Sequence, residues 1–157
     1  MNVRSLLSSA LIGAVASARS MTPMAAIATA RLAGRRTPGR LLLLDHPLVK
    51  AGALAMGVGE LLGDKMKTAP DRTVLLGLTA RVMSAGIAGQ ALAPAGRERA
   101  GAAIAVATAV PLAYLTLAAR KRAMAHIGQT RSGLIEDLLI VAAGAAVIAL
   151  STRPKRG

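Results

Sequence analysis

The sequence predicts an all-α fold, a polytopic transmembrane helical bundle of about five spans forming one domain over residues 1–157. Three observations predict it. Hydrophobic residues make up 54% of the chain and the mean hydropathy is +0.52, carried by Ala, Leu, Val and Ile. Aromatic residues are nearly absent: no Phe, no Trp and one tyrosine, Tyr114. The large side chains that fill a soluble core and the Trp/Tyr belt of a membrane interface are therefore both missing, and Arg and Lys are left to anchor the chain. Apolar runs of span length alternate with short basic loops, which accounts for the net charge of +13 without nucleic acid, since no aromatic stacking platform accompanies the cations. The expected partners are a lipid bilayer, anionic lipid at the basic loops and a second copy of the chain, with no nucleic acid. With no Cys, disulfides and thiolate metal sites are excluded; His46 and His126 lack a second ligand at useful spacing, so neither metal nor cofactor is expected.

The first apolar run, 5–33, is too long for one straight span and is expected to break at Arg19-Ser20-Met21-Thr22-Pro23. Arg19 suits the C-terminal end of a first half, Thr22 an N-cap and Pro23 the first position of a second half. A competing reading is a signal peptide ending at Ala16-Ser17-Ala18; renewed apolar sequence from Met24 to Ala33 argues for retention. A basic loop with Arg31, Arg35, Arg36 and Arg40 follows, then a short interfacial segment ending at Asp45-His46-Pro47.

The second span, 48–66, places Glu60 and Asp64 on one face beside a ridge of Ala55, Gly59 and Gly63 that invites close helix approach. A carboxylate at membrane depth costs about 3 kcal/mol or more, so Glu60 demands a partner, a cavity or a substrate path. Asp64 and Lys65 have a plainer alternative, a place in the headgroup layer. After a turn holding Arg72, the third span, 73–93, sets Arg81 in a column with Gly77, Ala85 and Gly89. Arg81 either snorkels or pairs with Glu60 or Asp64, and Arg19 is the other cation available to Glu60. The fourth span, 100–119, tolerates Pro111 as a kink and ends at Arg120-Lys121-Arg122. A fifth span begins after Gly133 and runs to Leu150, with Glu136 and Asp137 in its opening turns, either as dipole-favoured acids or as part of a polar site. In this topology the basic residues divide ten against eight between the two sides, too even to orient the chain.

Laid out in this way, the chain resembles a family of small bacterial integral-membrane proteins known only as the domain of unknown function numbered four thousand one hundred and twenty-six. The resemblance rests on Arg19-Ser20-Met21-Thr22-Pro23, on Gly59-Glu60-Leu61-Leu62-Gly63-Asp64-Lys65 followed by Pro70-Asp71-Arg72-Thr73, on Arg81 with Gly86 and Gly89, and on Glu136-Asp137. Ser17 departs from it, standing where that pattern has glycine. It implies a multi-pass protein of a bacterial inner membrane and no particular activity. From the charges, the expected function is transport or channelling of a small solute or ion, with Arg19, Ser20, Thr22, Glu60, Asp64, Lys65, Arg72, Arg81, Glu136 and Asp137 as binding candidates. The alternative is a non-catalytic membrane assembly protein whose buried charges fix helix register. A lipid-active enzyme is disfavoured because no acid–base set, nucleophile motif or phosphate loop is present.

Overall fold

The computed structural model describes residues 4–39, 41–63 and 75–154. Among these residues six α-helices carry the fold: α1 (Arg4–Ala18), α2 (Thr22–Leu32), α3 (Pro47–Gly63), α4 (Leu75–Leu92), α5 (Glu98–Ile127) and α6 (Gln129–Ser151). Two short strands, β1 (Arg35–Arg36) and β2 (Arg153–Pro154), pair antiparallel and tie the end of α2 to the end of α6. A 3-10 turn over Leu42–Asp45 leads into α3, which Pro47 opens as a first-turn proline can. Among the described residues three helices, α4, α5 and α6, are long and apolar enough to cross a membrane.

The interior is built from small residues and the exterior from large ones. Ala85, Ala88, Ala105, Ala109 and Ala113 are fully buried, whereas Leu42, Leu48, Leu75, Leu76, Leu138 and Leu150 are exposed. Water would oppose that distribution; lipid tails tolerate it, because association among helices in lipid rests on close packing. Helices α1, α4 and α5 pack together as one group, and α2 packs on α3 and α6. The helices meet closely: at the crossing of α4 and α5 a Cβ added to Gly89 would lie 2.5 Å from both the Ala105 Cβ and the Gly101 carbonyl oxygen, and where α1 meets α5 one added to Gly13 would lie 2.3 Å from the Ala105 carbonyl oxygen. Ser9 donates from α1 to the Gly89 carbonyl at 3.0 Å, fixing the depth at which the three helices meet.

Several elements differ from the sequence-based expectation. Helix α5 does not end at Arg120-Lys121-Arg122 but continues to Ile127, where Gly128 at φ 83° ends it. Three adjacent cations are good helix formers, so they mark a polar surface and not a terminus. Helix α6 starts at Gln129, which places Glu136 and Asp137 two turns inside it and removes the dipole explanation for those acids. On α3, Ala55 and Gly59 are exposed and a Cβ on Gly59 would meet nothing within 4 Å. The close approach is made on another face, where a Cβ on Gly57 would lie 2.7 Å from the Ala25 Cβ of α2.

Candidate functional site

The segment Arg19-Ser20-Met21 separates α1 from α2, and it exposes two helix ends inside the protein. A helix C-terminus leaves carbonyls without partners and an N-terminus leaves N–H groups without partners; buried, each set requires an answer. Both answers come from charged side chains on other helices.

Glu60 of α3 answers the N-terminus. Its Oε1 accepts from the Ser20 N–H at 2.7 Å and the Ser20 hydroxyl at 2.6 Å, and its Oε2 accepts from the Met21 N–H at 2.8 Å. Met21 is the N-cap residue of α2 and has no side-chain cap of its own. Glu60 therefore supplies across helices what a glutamate three residues on supplies in a capping box, and sets a negative group on the positive end of the α2 dipole. Pro23 holds its expected place in the first turn, whereas Thr22 is not the N-cap but the first residue of the helix.

Arg81 of α4 answers the C-terminus. It is buried, and its Nε donates to the Ser17 carbonyl at 3.0 Å while Nη1 donates to Gly77, one turn back on its own helix, at 2.8 Å. A cation at the end of α1 is favoured by the dipole as well as by the hydrogen bond. The expected Glu60–Arg81 pair thus gives way to a different arrangement, in which each charge holds one free end of the break. A backbone N–H pair is a better fit than a guanidinium for an acid at this position because the α2 terminus lies directly opposite α3.

Arg19 occupies the gap itself. Its side chain is 2% exposed; Nη2 donates to Asp137 Oδ1 of α6 and Nη1 to the Glu60 carbonyl oxygen at 3.4 Å. Beside it, Arg120 of α5 pairs with Glu136 of α6 at 2.9 Å. The break therefore gathers Arg19 and Ser20 of the connecting segment with Glu60 of α3, Arg81 of α4 and Glu136 and Asp137 of α6, and Thr22 at the start of α2 lies against Gly144. Asp64, Lys65 and Arg72 lie outside the described residues. The sequence reading missed Arg120, taken for a helix stop, and missed Ser17 and Met21, which act through backbone atoms that no residue type announces.

A cavity of about 280 Å³ between α5 and α6 approaches this cluster. Its surface is almost wholly apolar; Thr116, Arg120, Ser132 and Glu136 border it, as does Ala18, the residue before the break. Among the described residues no group of three or more His, Asp or Glu is placed to hold a metal ion. The arrangement can bind through charge and hydrogen bonding. Compared with protein-family models, with curated proteins and with solved structures, the chain matches none of them.

Proposed function

We propose that the chain is a multi-pass protein of a bacterial inner membrane, of the unknown-function family it resembles, and that it moves a small solute or ion past the charged break. In this reading α3 and the α1–α2 pair join the three long apolar helices as spans, giving about five, with α1 and α2 as the halves of one interrupted span. The observation that carries the proposal is the buried Arg19–Asp137 pair at the interruption, with the Arg120–Glu136 pair one residue away along α6. Ionisable groups at membrane depth are expensive, and interrupted helices are where transporters place their polar sites. The second reading is an assembly protein, favoured by one specific fact: Glu60 is fully engaged by Ser20 and Met21, as a register-fixing group would be.

The chain has no Cys, so single introduced cysteines separate the two. Ile140→Cys lines the cavity, and Leu138→Cys, at a position 73% exposed, faces outward. Transport requires a wetted path, so a small water-soluble thiol reagent should modify Ile140→Cys in proteoliposomes and leave Leu138→Cys unmodified. Equal lack of reaction at both positions favours the assembly reading.

A further inference from the structure

A second cavity, of about 430 Å³, lies between α2, α3 and α6 and meets the charged break only at Thr22. Ala26, Ala30, Gly57 and Ala145 line it with small apolar surface, and Val58 and Ala145 are themselves exposed, so it opens on the outer face of the protein as a groove. It follows α2 from Thr22 at one end to Ala33 and Arg35 at the other. The 11 residues of α2 span about 16 Å, close to half of a hydrocarbon core of about 30 Å. The groove is thus one leaflet deep, apolar along its length and basic at one end only.

The basic end is built with care for an anion. Arg35 donates Nε to the Thr152 hydroxyl at 2.6 Å and Nη2 to the carbonyls of Ala149 and Thr152 at 2.8 and 2.9 Å, which fixes the guanidinium at the groove mouth. Among the described residues nothing accepts from its Nη1. On the same ribbon Arg36 and Arg153 are direct cross-strand partners and both are exposed. Like charges placed opposite one another destabilise a strand pair, and a bound anion reverses that penalty. Asp45, the acid of the following loop, is engaged by Arg31 at 2.7 Å and does not neutralise the ribbon.

We propose that the groove holds one acyl chain of an anionic phospholipid from the surrounding leaflet, with its phosphate at Arg35 and the Arg36–Arg153 ribbon. The assignment is independent of whether the charged break transports anything. Charge complementarity selects an anionic headgroup, at roughly fivefold in relative binding per cation, the factor that corresponds to about 1 kcal/mol per basic residue at an anionic surface. The groove selects an acyl chain, because burying each methylene is favourable.

The test is native mass spectrometry of the full chain, delipidated and then titrated with phosphatidylglycerol or with phosphatidylcholine of the same acyl chains. The wild type should retain one phosphatidylglycerol per chain in preference to phosphatidylcholine. Arg35→Gln combined with Arg36→Gln should lower that preference by roughly 25-fold. Ala145→Phe, which plugs the groove at an exposed position, should reduce binding of both lipids while leaving helicity and thermal stability unchanged. Equal binding of the two lipids by the wild type overturns the proposal, as does full lipid retention by a folded Ala145→Phe. A wild-type dimer that Ala145→Phe converts to monomer, with lipid binding absent from both, overturns it in favour of a second copy of the chain in the groove.

Discussion

Replacing Glu60 by Gln preserves shape and volume while removing the charge that caps α2. The amide oxygen can still accept from the Ser20 N–H and hydroxyl, which Oε1 meets at 2.7 and 2.6 Å. The amide nitrogen then faces the Met21 N–H, now 2.8 Å from Oε2, and sets donor against donor. One hydrogen bond to a charged acceptor is worth about 1.5–3 kcal/mol, and the charge on the helix end adds roughly 0.3–1 kcal/mol. Glu60 is partly exposed, which favours the lower halves of these ranges, so Glu60→Gln should cost about 2–3 kcal/mol. For a chain of 157 residues this corresponds to a fall in Tm of about 5–10 °C, measured by thermal unfolding in detergent. Glu60→Ala leaves both N–H groups unsatisfied and should cost more. A double-mutant cycle identifies the partner: Glu60→Gln with Ser20→Ala should show a coupling of about 1 kcal/mol, larger than that with Arg81→Leu. Strict additivity with Ser20→Ala, or a stronger coupling to Arg81, would refute the capping arrangement.

Other perturbations test the remaining contacts. Asp137→Leu alone removes the carboxylate that faces the buried Arg19 charge and should cost about 3–5 kcal/mol, whereas Arg19→Leu with Asp137→Leu should recover a large part of it; detergent melting curves of the two variants decide this. Gly89→Leu drives a side chain into Ala105 and the Gly101 carbonyl and should abolish the monodisperse folded protein on size-exclusion chromatography. Gly59→Leu enters open space, so its melting temperature should match the wild type to within about 0.5 kcal/mol of stability. Glu136→Gln weakens the pair with Arg120 and should change reactivity of a cysteine placed at Ile140 more than overall stability, read by thiol labelling beside a melting curve.

The start of a helix at Thr22-Pro23 was legible because a proline inside a long apolar run has few places to sit, and the first turn of a helix is one of them. The need for a partner at Glu60 was equally legible, because a carboxylate in an apolar helix is costly to leave unanswered. Its identity was not, because the donors are backbone N–H groups, which every residue except proline carries, so sequence directs attention to cations such as Arg81 instead. Which face of α3 meets α2 was not legible for a related reason: Gly52, Gly57, Gly59 and Gly63 put small residues on more than one side, and periodicity alone does not choose between them. Arg120 escaped notice because it stands in a basic triplet, where two neighbours face outward and the third reaches Glu136.

The claim that the charged break serves passage across a membrane is tested most directly by flux. Purified wild-type chain reconstituted in liposomes should accelerate movement of at least one member of a panel of small ions and neutral solutes over protein-free liposomes, and Asp137→Asn, verified as folded by helicity, should change that rate by roughly tenfold or more, the effect of about 1.4 kcal/mol on a barrier. Flux indistinguishable from protein-free liposomes for every member of the panel, from wild-type protein of full helicity, would contradict the account and leave the break as a structural joint.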